Sequence, residues 1–371
     1  MTVLEILFWT SAVFLAWTYA GYPVAILLLG ALRSRRVRRE DTYPYVSVVF
    51  VPKDRDPLVE RRLRALADLD YPEDRLEILV APVNPSHDLR GFLDRVGDPR
   101  IRLVTEGAHG RRAARRDAVD TATGEILAFV DPMSLVHSKA LRSLGSHFAD
   151  PAIGAVAGNR VHLRSRGEDS TLGGERLYSD WDKWLKHLES RTASISGPDR
   201  ALWAVRREHW VDAPPGRDGD LETAAAVVRF GQRVLWDPEA LSWERGGEAA
   251  HRFDLRTRAA AARVATLAAS PGILLRHGLW SFVVTSHVAA RLLSPVFLMV
   301  LLVSSASLLG RGLAYELATV LQCLFYGSAA LGWLARESAF GRAPWLSVPL
   351  FVCLGWGAAV AALLPPGQPR A

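Results

Sequence analysis

One carboxylate stands directly at the end of a short apolar run. Residues 126–130 read Ile-Leu-Ala-Phe-Val, Gly124 precedes them, and Asp131 and Pro132 follow. The run has the length of a β-strand. In open α/β sheets the ligand crevice lies beyond the carboxyl ends of the strands, where an Asp can hold a metal ion on a diphosphate. The alternative interpretation is an Asp that only starts a turn before proline.

A second acidic group lies on a segment rich in turn residues. Asp218, Asp220 and Glu222 alternate within residues 214–222. A carboxylate within about 3 Å of a hydroxyl group can take its proton, so this segment is a candidate source of a general base. The alternative is a solvated acidic loop.

A basic run opens with Arg111 and Arg112 and continues to residue 116. Arginine suits a diphosphate because its guanidinium is always charged and binds two oxygens at once. A solvated start of a helix is an equally open interpretation.

Secondary structure that could position these groups is predicted between residues 43 and 250. Short apolar runs predict strands, and helical patterns lie between them; the strands are expected at 46–51, 76–81, 101–104, 126–130 and 153–156, and helices at 58–67, 113–121 and 139–148. Such alternation predicts an α/β fold with a mostly parallel sheet and helices on both of its faces.

Long apolar runs flank this region on both sides. Residues 3–32 carry one charge, Glu5, and five arginines follow at 33–39; three further runs lie at 292–310, 313–334 and 345–364. Each run is long enough to cross a bilayer. The arginines follow the first run rather than precede it, which favours a retained anchor over a cleaved signal peptide. By the positive-inside rule the N-terminus faces out and the region between the runs is cytoplasmic.

These runs divide the chain into four predicted parts. Residues 1–32 are an N-terminal transmembrane anchor, 43–250 a cytoplasmic domain, 251–285 a basic interfacial helical segment, and 292–364 three transmembrane helices. The segment 251–285 is rich in Ala and Arg and suits a helix on the membrane face, although a solvated helix of the cytoplasmic domain is equally open.

Composition narrows the classes of function. The 371 residues are 49% hydrophobic with a net charge of +6. The two cysteines, Cys323 and Cys353, lie in apolar runs and predict neither a disulfide framework nor a zinc site. Since the densest arginine cluster abuts an apolar run, a membrane surface is favoured over nucleic acid as the partner. A transporter is disfavoured because the runs carry no charge deep within them.

Four stretches of the chain resemble the family-2 glycosyltransferases, in their membrane-bound, synthase-like branch. The matching text lies at residues 43–52, 61–80, 122–131 and 148–158. The resemblance implies a GT-A fold, a doubly wound nucleotide-sugar domain at 43–250. It also implies an inverting transferase of the EC 2.4 class that moves a sugar from a nucleotide-sugar to a lipid-linked or polysaccharide acceptor, in a bacterial inner membrane.

The resemblance also assigns roles to residues. Asp131 takes the place of a ligand to a divalent cation, Mg²⁺ or Mn²⁺, and Asp220 that of the general base. Asp199 matches a donor-site segment at 197–201. Asp56 stands where the first strand touches the nucleotide, and Arg111 and Arg112 replace a Gly-Lys segment beside the diphosphate.

Several donor-site positions depart from the family pattern. Met133 occupies the second metal-ligand position, and a thioether is a poor ligand for Mg²⁺ or Mn²⁺. Val83 replaces a base-gripping Asp, Arg200 and Gly219 replace a Gly and an acid, and the Gln-x-x-Arg-Trp motif is absent. The alternative function is therefore a catalytically degenerate homologue that acts as a membrane scaffold or as a partner of an active synthase.

Overall fold

The structure is a computed structural model. It describes residues 1–33, 35, 37–53, 57–83, 87–105, 110–163, 171–198, 200–245, 249–336, 338 and 340–363. The predicted site residues Asp56 and Asp199 lie outside the described residues.

Eight strands form one mixed sheet in the order β3-β2-β1-β4-β7-β6-β8-β5. Strands β1 to β4 form a parallel group, β7 runs antiparallel to both of its neighbours, and β5 runs antiparallel to β8. The strands are β1 Val46–Phe50, β2 Leu76–Val80, β3 Ile101–Leu103, β4 Ile126–Val130, β5 Ser134–Val136, β6 Ile153–Leu163, β7 Leu202–Arg206 and β8 Arg233–Arg245.

Fourteen α-helices are described along the chain. They are α1 Val3–Ala16, α2 Tyr22–Leu32, α3 Val59–Ala67, α4 His87–Val96, α5 Arg111–Thr121, α6 Ala140–Ser146, α7 Thr171–Thr192, α8 Gly219–Arg229, α9 Ala249–Ala269, α10 Gly272–Leu275, α11 Leu279–Val283, α12 Ala290–Ser307, α13 Leu313–Leu334 and α14 Pro344–Leu363. Two π-helical turns, Trp17–Gly21 and Val284–Ala289, join α1 to α2 and α11 to α12.

The sheet separates two hydrophobic cores. Successive side chains of a strand point to opposite faces. In β1, Val48 therefore packs into one core with helices α3, α4 and α6, and Val49 packs into the other with α5 and α8. All five residues of β1 and of β4 are buried, as expected for central strands that are covered on both faces.

Gly124 lets the chain enter β4 directly beside β1. A Cβ atom at this position would stand 2.6 Å from the backbone nitrogen of Ser47. The Gly124 N–H donates to Ser47 Oγ at 2.8 Å. Any larger residue would push β4 away from β1 and disturb the strand that ends at Asp131.

The structure confirms the predicted central strands and refines the sheet around them. The predictions for β1 to β4 agree with the observed strands to within one residue at each end. The sheet is mixed rather than mostly parallel, because β7 inserts antiparallel between β4 and β6. The acidic segment also differs from expectation. Gly219 begins α8, so Asp220 lies in the first turn of a helix and not in a loop.

Four apolar helices are long enough to cross a membrane. They are Val3–Leu32, Leu279–Ser307, Leu313–Leu334 and Pro344–Ala362. The first and second each contain a π-helical turn, and the two turns face each other, since Trp17 Nε1 donates to Ser286 Oγ at 3.4 Å. This is the number of spans that the sequence predicts.

The second of these helices begins at Leu279 rather than at residue 292. The predicted boundaries at 285 and 292 both fall inside it. The apolar pattern misses its first part because Ser286, His287 and Arg291 interrupt the hydrophobic run. Arg291 is also a charge well inside a span, where the sequence predicts none. Its charge is compensated locally, because Arg291 Nη1 lies 3.1 Å from Asp182 Oδ1 on α7.

Arg291 belongs to a buried polar group between α7 and the membrane helices, which we call the junction cluster. Its members are Tyr22, Asp182, Lys186, Glu189, His287 and Arg291. Asp182 contacts Lys186 at 3.0 Å and His287 at 3.1 Å. Glu189 accepts hydrogen bonds from the Tyr22 hydroxyl at 2.6 Å and from His287 Nδ1. Helix α7 and the first two apolar helices are therefore joined by ion pairs and hydrogen bonds.

Candidate active site

Asp131 lies where strand order changes direction in the sheet. It follows β4, whose neighbours are the parallel β1 on one side and the antiparallel β7 on the other. Its backbone N–H donates to the carbonyl of Ala201 at 3.0 Å, which ties it to the segment before β7. In open α/β sheets ligands bind at such a switch point. The structure thus puts Asp131 at the position expected for a donor site.

The Asp131 carboxylate is held by the backbone that follows it. Its Oδ1 accepts the N–H of Met133 at 2.8 Å, which closes a tight turn after β4. The Met133 side chain is 40% exposed. The turn interpretation of the Asp-Pro sequence is therefore observed, and a metal-binding role for the same carboxylate stays a prediction.

The three acids of the 214–222 segment have different partners. Asp218 is the N-cap of α8, since its side chain accepts the N–H groups of Asp220 and Leu221 at 3.2 Å each. Glu222 pairs with Arg217 at 3.2 Å. Asp220 has its closest described cation, Arg200, at 3.6 Å. Of the three acids, Asp220 therefore has the weakest described pairing within the protein.

Asp220 is buried at the start of α8. Burial raises the pKa of its carboxyl group, and the nearby Asp218 acts in the same direction, while Arg115, Arg200 and Arg263 partly oppose the rise. A carboxyl group with a raised pKa is a better proton acceptor when it is ionised.

Arg115 interacts electrostatically with both acids, Asp220 and Asp131, and is the site residue that sequence reasoning missed. Its guanidinium lies over the ring of Phe129 in β4, 4.1 Å from the ring centre, and 5.8 Å from that of Trp203 in β7. Burial lowers its pKa, and the carboxylates of Asp220 and Asp131 oppose that change. A guanidinium nonetheless stays charged in proteins. Arg115 therefore brings a fixed positive charge within electrostatic reach of Asp131 and Asp220.

The spacing of residues in helix α5 could have identified Arg115 as a site residue from the sequence. Residues four apart share one face of a helix, so Arg111 and Arg115 lie on the same side of α5. Ala114 and Ala118 beside them are buried against the sheet. The face that carries Arg115 is therefore the face that meets the strand ends.

The two predicted phosphate-binding arginines differ from each other. Arg112 forms a two-point ion pair with Asp212, with both N–O distances at 2.9 Å. Arg111 is exposed at the start of α5, and its charge contributes to the lowered pKa of Arg115. Arg111 thus faces the site, whereas Arg112 holds α5 to the segment before α8. Their roles toward a diphosphate stay predictions.

The oxygen ligands here suit a divalent cation that is also bound by substrate. Within the described part of the chain, no three His, Cys, Asp or Glu side chains group together as a metal site. Asp131 contributes one carboxylate. Mg²⁺ is commonly held by one or two carboxylates together with substrate phosphates and water. The residues therefore fit a cation that binds together with a diphosphate.

Comparison with known proteins places the chain near sugar transferases. No family profile matches it. Over 193 residues it is 24% identical to the β-monoglucosyldiacylglycerol synthase of Synechocystis, which covers 46% of this chain and 40% of that protein. Over 156 residues it is 28% identical to an N-acetylglucosaminyltransferase of Rhizobium meliloti, covering 40% of this chain and 35% of that protein. The chain thus spans two fifths or less of the length of these curated relatives.

One solved structure matches almost the whole chain. The mannosyltransferase PcManGT of Pyrobaculum calidifontis, solved with GDP-Man and Mn²⁺, superposes with a TM-score of 0.70. The match covers 97% of this chain and 99% of that one, at 21% sequence identity. An identity this low shows a common fold and no more. The chain is therefore a homologue of glycosyltransferases and has a glycosyltransferase fold.

Proposed function

We propose that this chain is a membrane-embedded, inverting glycosyltransferase of the EC 2.4 class. It moves a sugar from a nucleotide-sugar to a hydroxyl group of a lipid-linked or polysaccharide acceptor. The observation that carries this proposal is one arrangement: Asp131 lies at the switch point of the sheet, Asp220 lies at the start of α8, and Arg115 interacts electrostatically with both. The homology to transferases of sugars supports the same reaction class.

Asp220 is the general base in this proposal. It takes the proton of the acceptor hydroxyl as the acceptor oxygen attacks the anomeric carbon of the donor sugar. The bond from that carbon to the diphosphate oxygen breaks on the opposite side, so the configuration inverts and a nucleoside diphosphate leaves. Because the base must be ionised, activity is present above the pKa of Asp220 and is lost as the pH falls through it.

Arg115 and Arg111 stabilise the negative charge that develops on the diphosphate as it leaves. Fixed cations aimed at a developing charge lower the barrier because they need no reorganisation during the reaction. A divalent cation on Asp131 would neutralise further charge on the diphosphate when it is bound. Asp56 and Asp199 complete the proposed donor site. Met133 weakens the hold on the cation because its side chain brings no oxygen.

The membrane helices define where this reaction takes place. Five arginines follow Leu32, and Arg336 and Arg342 lie between the last two apolar helices. By the positive-inside rule these positions lie on the cytoplasmic side, where a nucleotide-sugar is available. We infer a multi-pass protein of a bacterial inner membrane with its sheet domain in the cytoplasm. A lipid-linked acceptor then reaches the site from the bilayer surface, toward which the basic helix α9 leads.

The test is binding of nucleoside diphosphates to the detergent-solubilised chain, measured by calorimetry with and without Mn²⁺. Wild type and Asp131→Ala are compared, followed by a transfer assay over a panel of donors. Mn²⁺-dependent binding that is lost in Asp131→Ala supports the proposal. If wild type binds no nucleoside diphosphate and transfers no sugar, the proposal fails and the scaffold alternative takes its place.

A further inference from the structure

Helix α9 connects a membrane span to the acidic start of α8. Its first half packs on α14, the last of the four apolar helices. The ring of Phe253 lies against Gly357, 3.6 Å from the point where a Cβ would stand. Arg256 lies over the ring of Phe351 at 4.2 Å and pairs with Glu175 of α7 at 2.8 Å. This half of α9 is thus fixed to the membrane helices.

The second half of α9 holds Asp218 at two points. The backbone N–H of Asp218 donates to Thr266 Oγ1 at 2.8 Å, and Thr266 is fully buried. Arg263 Nε lies 3.2 Å from Asp218 Oδ2. One partner holds the backbone and the other holds the side chain, so both the position and the orientation of Asp218 depend on α9.

Asp218 in turn fixes the first turn of α8. Its second carboxylate oxygen accepts the N–H groups of Asp220 and Leu221. An N-cap of this kind stabilises the first turn of a helix because it satisfies backbone N–H groups that have no partner within the helix. The place of the Asp220 carboxylate is therefore set by a chain of contacts that begins on α14 and passes through α9 and Asp218.

We propose that α9 acts as a strut between the membrane span α14 and the proposed base, with Arg263 and Thr266 as positioning residues for Asp220. This inference rests on the proposed role of Asp220. Phe253 and Thr266 are separated by about 20 Å along the helix axis. A small tilt of α14 at one end of the strut thus displaces Asp218 at the other, and a misplacement of 1 Å in a catalytic group can reduce a rate about a hundredfold.

Arg263 has a second effect on the same carboxylate. Its positive charge acts to lower the pKa of Asp220, together with Arg115 and Arg200, whereas burial and Asp218 raise it. Loss of Arg263 therefore moves the pKa of Asp220 further up. A residue that only stabilises the fold would not shift the pH dependence of the reaction in this way.

The first test does not need enzymatic activity. Hydrogen–deuterium exchange of the peptide that covers residues 218–223 is compared in Thr266→Val, Arg263→Gln and wild type. Two matched controls lie on the same helix. Thr257→Val removes a hydroxyl that bonds within α9, and Arg258→Gln removes a pair with Asp254 of α9. We expect faster exchange in the first two variants and wild-type exchange in the controls. Unchanged exchange in the first two variants overturns the proposal.

The second test measures turnover. We expect Thr266→Val and Arg263→Gln to lower kcat about tenfold at unchanged KM for the donor. In Arg263→Gln the acidic limb of the pH profile also moves to higher pH. Faster exchange with wild-type kcat and pH profile overturns the positioning role. If wild type itself transfers no sugar, the proposed function fails, and the exchange experiment still decides whether α9 holds the start of α8.

The membrane end of the strut is tested separately. Phe253→Ala removes the contact with Gly357 far from Asp218. We expect it to speed exchange of residues 218–223 as Thr266→Val does. Exchange that stays at the wild-type rate there overturns the link to α14. Thermal unfolding of each variant in detergent identifies any that fail to fold, and Phe253→Leu then replaces Phe253→Ala.

Discussion

Two groups of buried acids and arginines occur in this molecule, and they are built in opposite ways. In the junction cluster, Asp182 lies within hydrogen-bond distance of Lys186 at 3.0 Å and of His287 and Arg291 at 3.1 Å each. In the candidate active site, the closest described cation to Asp220 is Arg200 at 3.6 Å, and the Asp131 carboxylate accepts a backbone N–H. Acidic and basic side chains are thus closely paired around Asp182 and more sparsely paired around Asp220.

The pKa directions follow from this difference. Burial alone would raise the pKa of Asp182, but Lys186, His287 and Arg291 hold it well below its usual value. Burial does raise the pKa of Asp220, because the neighbouring Asp218 acts in the same direction and its closest described cation is more distant, at 3.6 Å. A group that only joins two parts of a protein is neutralised by the protein. A carboxylate that must act on a ligand is left with fewer close partners in the protein, so that the ligand can supply them.

The largest effect is expected at Asp220. The isosteric change Asp220→Asn removes the base and should lower the transfer rate about a thousandfold, with binding of nucleoside diphosphate unchanged. Turnover of a labelled donor measures it. Glu222→Gln is the matched control, since Glu222 lies in the same helical turn and pairs with Arg217. A variant Asp220→Asn with the turnover of wild type would remove Asp220 from the mechanism.

The junction cluster should respond in stability and not in chemistry. Asp182→Asn removes the carboxylate that pairs with Lys186 and Arg291. Removal of one member of a buried ion pair costs roughly 3 kcal/mol. Denaturant unfolding in detergent measures the loss. Asp180→Asn is the control on the same helix, because Asp180 is exposed and has a single contact at 4.0 Å. If Asp182→Asn instead abolished diphosphate binding at full stability, the contrast between the two clusters would not hold.

Arg115 should affect both binding and pH dependence. Arg115→Gln removes a charge-assisted contact to the diphosphate and should weaken its binding about tenfold. Because Arg115 lowers the pKa of Asp220, its loss moves the acidic limb of activity to higher pH. Calorimetry and a pH–rate profile measure the two effects. The neighbouring exposed residue Arg116 provides the control, as Arg116→Gln. Equal effects of both changes would mean that the helix contributes only general charge.

The smallest effect is expected at Met133. Met133→Asp adds an oxygen ligand beside Asp131 and should lower the Mn²⁺ concentration needed for half-maximal binding of diphosphate about threefold. Titration of Mn²⁺ in the calorimeter measures it, with Met133→Leu as the control of similar size. An Mn²⁺ requirement that is the same in all three proteins would show that position 133 takes no part in holding the cation.

The sequence predicted those parts of the fold that depend on local pattern. Continuous apolar runs predicted β1, β2 and β4 because central strands are buried on both faces. Strand β7 was missed although it is as long as β1, because its place in the sheet depends on antiparallel pairing with β4 and β6. The start of the second span was missed because its polar residues are satisfied by α7, more than a hundred residues away for Arg291 and Asp182.

The residues of the candidate site likewise divide into those that the sequence predicted and one that it did not. Asp131 could be read from the sequence because a strand end fixes its place. Asp220 was chosen from three neighbouring acids by register, and the structure distinguishes them by partner: Asp218 caps α8, and Glu222 pairs with Arg217. Arg115 was passed over because its importance depends on the rings of Phe129 and Trp203, which come from two other strands. Contacts between distant segments leave no local pattern.

The junction cluster also sets an order in which the chain can fold. Asp182 and Glu189 are synthesised long before Arg291, which follows Asp182 by 109 positions. At about 5–20 residues per second, the acids of α7 wait roughly 5–20 seconds for their partner. During that time Tyr22, on the first span, is already present to bind Glu189. The packing of α7 against the apolar helices is therefore complete only after residues 279–307 have been synthesised, so this junction is a late step in the assembly of the chain.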